Sequence, residues 1–96
     1  MLDLMTTPRI HPQVAARLLE GRAIIVLADA GEVLVLNPSG AQIWQQIDGR
    51  RTVRELAAGL AAGHGLDPAS AQQDTVRFVQ SLVEAGAVQM PIKPGV

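Results

Sequence analysis

After Leu36 the chain announces three helices in succession, each with its own start and stop. Asn37 followed by Pro38 places a side-chain acceptor at a cap and a proline at the first helical position, where its missing N–H costs nothing. Thr52 with Glu55 three residues on has the form of a capping box. Asp67-Pro68 repeats the first signal, and the glycines at 49, 63 and 86 supply stops. The spacing predicts a first helix burying Ala41, Ile43, Trp44 and Ile47 and stopping at Asp48-Gly49. A second buries Val53, Leu56, Ala57 and Leu60 before Gly63, and a third runs from Pro68 to Ala85.

The front half has the opposite character. Val14–Leu19, Ala23–Ala28 and Glu32–Leu36 are short and rich in branched apolar residues, separated by Glu20-Gly21-Arg22 and Asp29-Ala30-Gly31. Each gap suits a three-residue turn closed by a bulge at glycine, and three antiparallel strands in meander order follow. The unbroken run Ile24–Leu27 suits a middle strand with little solvent on either face. Ala87–Met90 is a candidate further short strand. The expected class is therefore α+β, winged-helix-like, with a three-stranded antiparallel sheet followed by a three-helix bundle. Residues 1–13 read as an N-terminal extension, 14–90 as the domain and 91–96, with two prolines and a glycine, as a loose tail.

A chain of 96 residues removes roughly 60 to 65% of its unfolded surface from water on folding, so one modest core is all it builds. Only Trp44 and Phe78 are aromatic, which leaves Leu, Val, Ile and Ala to fill it. Cysteine is absent, which excludes a disulfide framework and thiolate metal sites. No apolar run reaches the ~20 residues needed to cross a bilayer, and Met1–Thr7 lacks the pattern of a secretory signal, so the expectation is a cytoplasmic protein. A net charge of -1 offers no broad attraction for nucleic acid.

No residue set supports chemistry. His11 and His64 have no second ligand at a metal-binding interval. Asp48 and Asp67 fit turn and cap roles, and Asp74 and Glu84 are too far apart on one helix to act as an acid–base pair. Ser39 has no histidine to activate it. The question is one of binding, with no cofactor expected.

On the third helix, Ala71, Thr75, Phe78 and Leu82 form one stripe and Val76, Val79 and Val83 widen it to an apolar arc of roughly 200°, beyond the ~100° needed for docking on a core. The surplus either packs centrally between helices and sheet or lines a groove. Glu32-Val33-Leu34-Val35-Leu36 makes the groove concrete. As an edge strand with neither proline nor lysine it can accept an added peptide strand, whose side chains would drop toward Val76, Val79, Gln80 and Val83. The same edge could instead be closed by Ala87–Met90 or by a second copy in a homodimer. Arg50, Arg51 and Arg54 form the one dense basic cluster; it either solvates the start of the second helix or docks an acidic partner surface, and Arg77 could meet acidic residues likewise. A DNA-binding winged helix is the competing class, but the third helix mixes Gln73, Arg77 and Gln80 with Asp74 and Glu84.

Three strands, then Leu36-Asn37, Ile43-Trp44, Asp48-Gly49 with Thr52, Leu56 and Leu60, then Asp74, Phe78, Leu82 and Gly86, resemble the PqqD family over Val14–Val88. The resemblance implies a fold without catalytic residues. It also implies binding of a precursor peptide's leader, PqqA-like in the namesake members, between the third strand and third helix. The peptide is then presented to a modifying enzyme, there the radical SAM enzyme PqqE of pyrroloquinoline quinone biosynthesis. Relatives in that family serve as recognition elements of other ribosomal peptide pathways. Thr7-Pro8-Arg9-Ile10 with Pro12 is similar to the entry of the quinone branch. Ile47 and Ala87 depart from it, standing where its members tend to carry a cysteine and an aromatic residue.

Overall fold

The computed structural model describes residues 2–27 and 31–90. In chain order the elements are β1 (Arg9–Ile10), β2 (Val14–Leu19), β3 (Arg22–Leu27), β4 (Glu32–Leu36), α1 (Pro38–Gln46), α2 (Val53–His64), α3 (Pro68–Ala85) and β5 (Val88–Gln89). β2, β3 and β4 form an antiparallel meander, and β1 pairs with β5 in a separate two-stranded ribbon. The class is α+β, a three-stranded antiparallel sheet with three helices, as the pattern of strands and caps predicts.

The helix signals act as expected at their starts. Asn37 Oδ1 accepts the Gly40 N–H at 2.8 Å, Thr52 and Glu55 complete the reciprocal box, and Asp67 accepts from Ser70. α2 runs past Gly63 and ends at Gly65, which takes the left-handed cap at φ +64. A glycine inside a helix weakens it by ~1 kcal/mol without ending it, whereas positive φ at the following loop does end it.

The first hairpin is tighter than its three-residue spacing suggests. Leu19 pairs with Arg22, leaving only Glu20 and Gly21 at φ +53 and +78. Two central residues with positive φ make a type I′ turn, whose twist matches that of the strands. Of the second turn, Gly31 has φ +65; residues 28–30 lie outside the described residues, as does the tail 91–96.

β3 is not sealed on both faces. Ala23, Ile25 and Leu27 are buried while Val26 is 40% exposed. Only one face of the sheet meets the helices, so the continuous apolar run divides by the two-residue alternation of a strand. α1 lies on β3 and β4, α2 packs against α1, and α3 packs against α2. Their shared core joins Ile25, Trp44, Leu56, Leu60, Val79 and Leu82.

The first residues belong to this packing. The Val53 and Arg54 amides, the first two of α2, donate to Thr6 O and Leu4 O at 2.9 Å each. Pro8 is buried, Leu2 and Leu4 lie against the core, and His11 N donates to Ala87 O. A helix start has four amides with no partner inside the helix; here the N-terminal segment satisfies two of them.

Candidate functional site

β4 stands at the end of the strand order β2-β3-β4, and among the described residues nothing pairs with its outer edge. Val88–Gln89, the segment that could have closed it, pairs with Arg9–Ile10 instead. In a strand every second N–H and C=O points away from its neighbour, so this edge carries a row of free donors and acceptors. Antiparallel register places Leu34 opposite Ile25 and Leu36 opposite Ala23, on the helix side of the sheet. Val33 and Val35, 59% and 62% exposed, lie on the outer side with Val26 and Ile24 opposite them. Leu36 is almost buried, Leu34 is half-buried and Glu32 is exposed.

α3 is the other wall in question. Its buried residues are Ala71, Thr75, Val79 and Leu82. Val79 is fully buried and presents no surface to a ligand, since it stands within the stripe that meets the core. Val76, Gln80 and Val83 are half-buried along one flank of that stripe. Phe78 occupies the other flank: at 100° per residue it projects roughly 160° from Val76. Its ring lies over the first turn of α1, with Cε1 3.0 Å from where a side chain on Gly40 would place its Cβ. This approach joins α3 to α1 at Gly40, four residues past the end of β4. Val76, Gln80 and Val83 stand roughly 140–160° around α3 from Phe78. Sequence periodicity put Phe78 in the core stripe and missed Gly40 altogether. The available signal was a glycine in the third position of a helix, an unfavourable choice unless something must approach the backbone closely.

The arginine cluster separates. Arg51 Nη1 reaches Asp48 Oδ2 at 3.4 Å and donates to Gln46 O at 3.1 Å, so it braces the α1–α2 turn. Asp48 Oδ1 accepts the Arg50 and Arg51 amides at 2.9 Å each. Those bonds, Arg51's first and Arg50's next, hold the Asp48 carboxyl below its ordinary range. The Arg50 and Arg54 side chains are exposed at this turn and the start of α2, and Arg77 is exposed on α3, remote from them in sequence. Among the described residues none of the three forms an ion pair.

Two surface concavities lie elsewhere. One of about 430 Å³ is lined by Ala15, Ala16, Arg17, Ile24 and Val26 at β2 and β3. The other, about 420 Å³, is lined by Arg9, Ile10, Ile47, Asp48, Gly49 and Arg50. The β4 edge is open and not a cavity, as suits a site that would be completed by another strand. Among the described residues no three His, Asp or Glu side chains converge, and no helix is long and apolar enough to cross a membrane.

A small antiparallel sheet backed by three helices, its β4 edge unpaired among the described residues, defines an α+β fold that can accept a further strand. The family model for coenzyme PQQ synthesis protein D (PqqD) matches residues 13–88, and the chain belongs to that family. Among solved structures, TbiB1 in complex with the TbiA(beta) leader peptide superposes with a TM-score of 0.80 at 15% identity, over 88% of this chain and 99% of that one. Lasso peptide synthetase B1 complexed with its leader peptide gives 0.77 at 22% identity, over 86% and 98%. The PqqD part of Methylobacterium extorquens PqqCD, a stand-alone recognition element for ribosomally synthesized and post-translationally modified peptides, gives 0.77 at 20% identity, over 93% and 95%. At these identities the likeness is one of fold. No curated protein sequence matches the chain.

Proposed function

We propose that this protein is a noncatalytic peptide chaperone. It binds the leader of a ribosomally made precursor as a fourth strand on β4 and presents the precursor to a modifying enzyme. The observation that carries the reading is the β4 edge, unpaired among the described residues. The backbone of an added strand would complete the ladder, its inward side chains would meet Leu34 and the Phe78 flank of α3, and its outward ones would lie beside Val33 and Val35. Family membership and two structural relatives bound to leader peptides support it. Within the family we favour the quinone pathway, with a PqqA-like precursor and a PqqE-like radical SAM partner. A ribosomal peptide would be met in the cytoplasm.

Calorimetry with a synthetic PqqA-like leader tests the reading, and lasso-type leaders serve as the comparison for pathway. Val35→Pro removes an amide and stiffens the edge, and should weaken binding at least tenfold while leaving helix content unchanged. Phe78→Ala should weaken it by about tenfold and Val76→Ser or Val83→Ser by less than threefold, if the Phe78 flank of α3, which lies over Gly40 just after β4, is the wall the leader meets. Normal binding by the Val35→Pro variant would remove β4 as the seat.

A further inference from the structure

Chain folding replaces Arg51 in the basic cluster with a residue some forty positions away. Arg51 is spent on Asp48 and Gln46, whereas β1 carries Arg9 up to the same turn, its Cγ and Nε at 3.5 and 3.8 Å from the Cβ position of Gly49. Arg9 and Arg50 then flank a concavity of about 420 Å³ with Ile10 and Ile47 among its lining residues. Neither guanidinium has a carboxylate among the described residues. The one acid at the wall, Asp48, accepts two amides and pairs with Arg51, which leaves Arg9, Arg50 and Arg51 as three cations to one carboxylate at this turn.

We propose that the Arg9–Arg50 concavity is a second docking site, which takes a carboxylate side chain with an apolar neighbour from an acidic segment of a partner protein. Two cations with no ion-pair partner among the described residues, beside half-buried Ile10, match that chemistry: the carboxylate meets the guanidinium groups and the apolar neighbour covers Ile10. The same features disfavour a nucleic acid, which needs a longer cationic track than two arginines on a chain of net charge -1. A second copy is disfavoured because it would bring like charges together. The site lies at the C-terminal end of α1 while β4 leads into its N-terminal end. The helix rise separates them by about 14 Å, and both can be occupied at once. The proposal is thus independent of the leader reading.

Amide and arginine side-chain NMR signals test it, with three probes: a short synthetic peptide alternating leucine and glutamate, its glutamine counterpart, and inorganic phosphate. The glutamate peptide should shift Gly49, Arg50 and Arg9 Nε saturably and the glutamine peptide should not. Arg9→Gln and Arg50→Gln should each weaken the effect by roughly threefold to fivefold, and Arg17→Gln, on β2, should leave it unchanged. Arg50 sits in an exposed turn, so its variant stays informative if Arg9→Gln disturbs the β1–β5 ribbon. The site is overturned if Gly49 and Arg50 do not respond, if both variants bind as the parent does, or if the glutamine peptide binds equally. It is also overturned in favour of a general anion site if phosphate, or a short DNA duplex, shifts the same signals as strongly as the peptide. Shifts confined to Val33 and Val35 would locate the probe on the β4 edge, overturning this site while leaving the leader reading intact.

Discussion

At the scale of single residues, the structure holds three side chains under visible cost or service. Glu20 occupies a left-handed conformation, φ +53, in a turn that favours Asn-Gly. Glu20→Asn should therefore raise stability by about 0.5–1 kcal/mol in urea unfolding. Thr75 is fully buried on α3, and its Oγ1 has no hydrogen-bond partner among the described residues. Thr75→Val removes that hydroxyl at nearly constant shape and should stabilise by about 1 kcal/mol, measured the same way. Asp48 is the titrating group with a resolved role. The Arg51 and Arg50 amides hold its folded pKa below the ordinary carboxyl value, so its contribution is complete above the unfolded pKa and is lost as pH falls through the folded one. Asp48→Asn should lower stability equally at neutral and alkaline pH and flatten the acid limb of the stability curve below about pH 4.

At the scale of elements, helix starts were legible because the groups involved are neighbours in the chain. Asn37 caps Gly40, Thr52 exchanges bonds with Glu55, and Asp67 caps Ser70, all within three residues. Strand positions were legible for a similar reason, from runs of branched residues between glycine turns. Local pattern misled at Gly63, where a helix position was read as a stop. It also misled at Ile24–Leu27, where an apolar run stood for burial that only one face receives. The candidate site was half legible. The β4 segment and its edge character follow from residue type and order. The orientation of α3 does not, because an apolar arc of some 200° leaves two directions open, and only the packed structure turns Phe78 toward Gly40 of α1.

Across the whole molecule, the N-terminal segment is the feature furthest from expectation. Residues 2–13, read as preceding the domain, supply carbonyls to α2, a buried proline, and a strand against the chain leaving α3. Deletion of residues 1–8 should cost on the order of 3 kcal/mol, from lost burial of Leu2, Leu4 and Pro8 and from two α2 amides returned to water. Denaturant unfolding of the shortened chain checks it; a loss under 1 kcal/mol would mean that these contacts do not hold the helix start. The same segment delivers Arg9 to the Asp48–Arg50 turn, which couples the integrity of the ribbon to the proposed second site.

The sequence by itself determined which residues form each strand and helix core, the class of fold, and the segment that stands at the edge of the sheet. Those properties depend on residue type and on bonds spanning a few positions, where chain connectivity already sets the geometry. Tertiary structure alone decided that Arg9 replaces Arg51 beside Arg50, that Phe78 approaches Gly40, that Val79 is sealed in the core, and that Val88–Gln89 leaves β4 open. Each joins residues distant in the chain, and such pairings are selected by how whole faces pack against one another rather than by any local period.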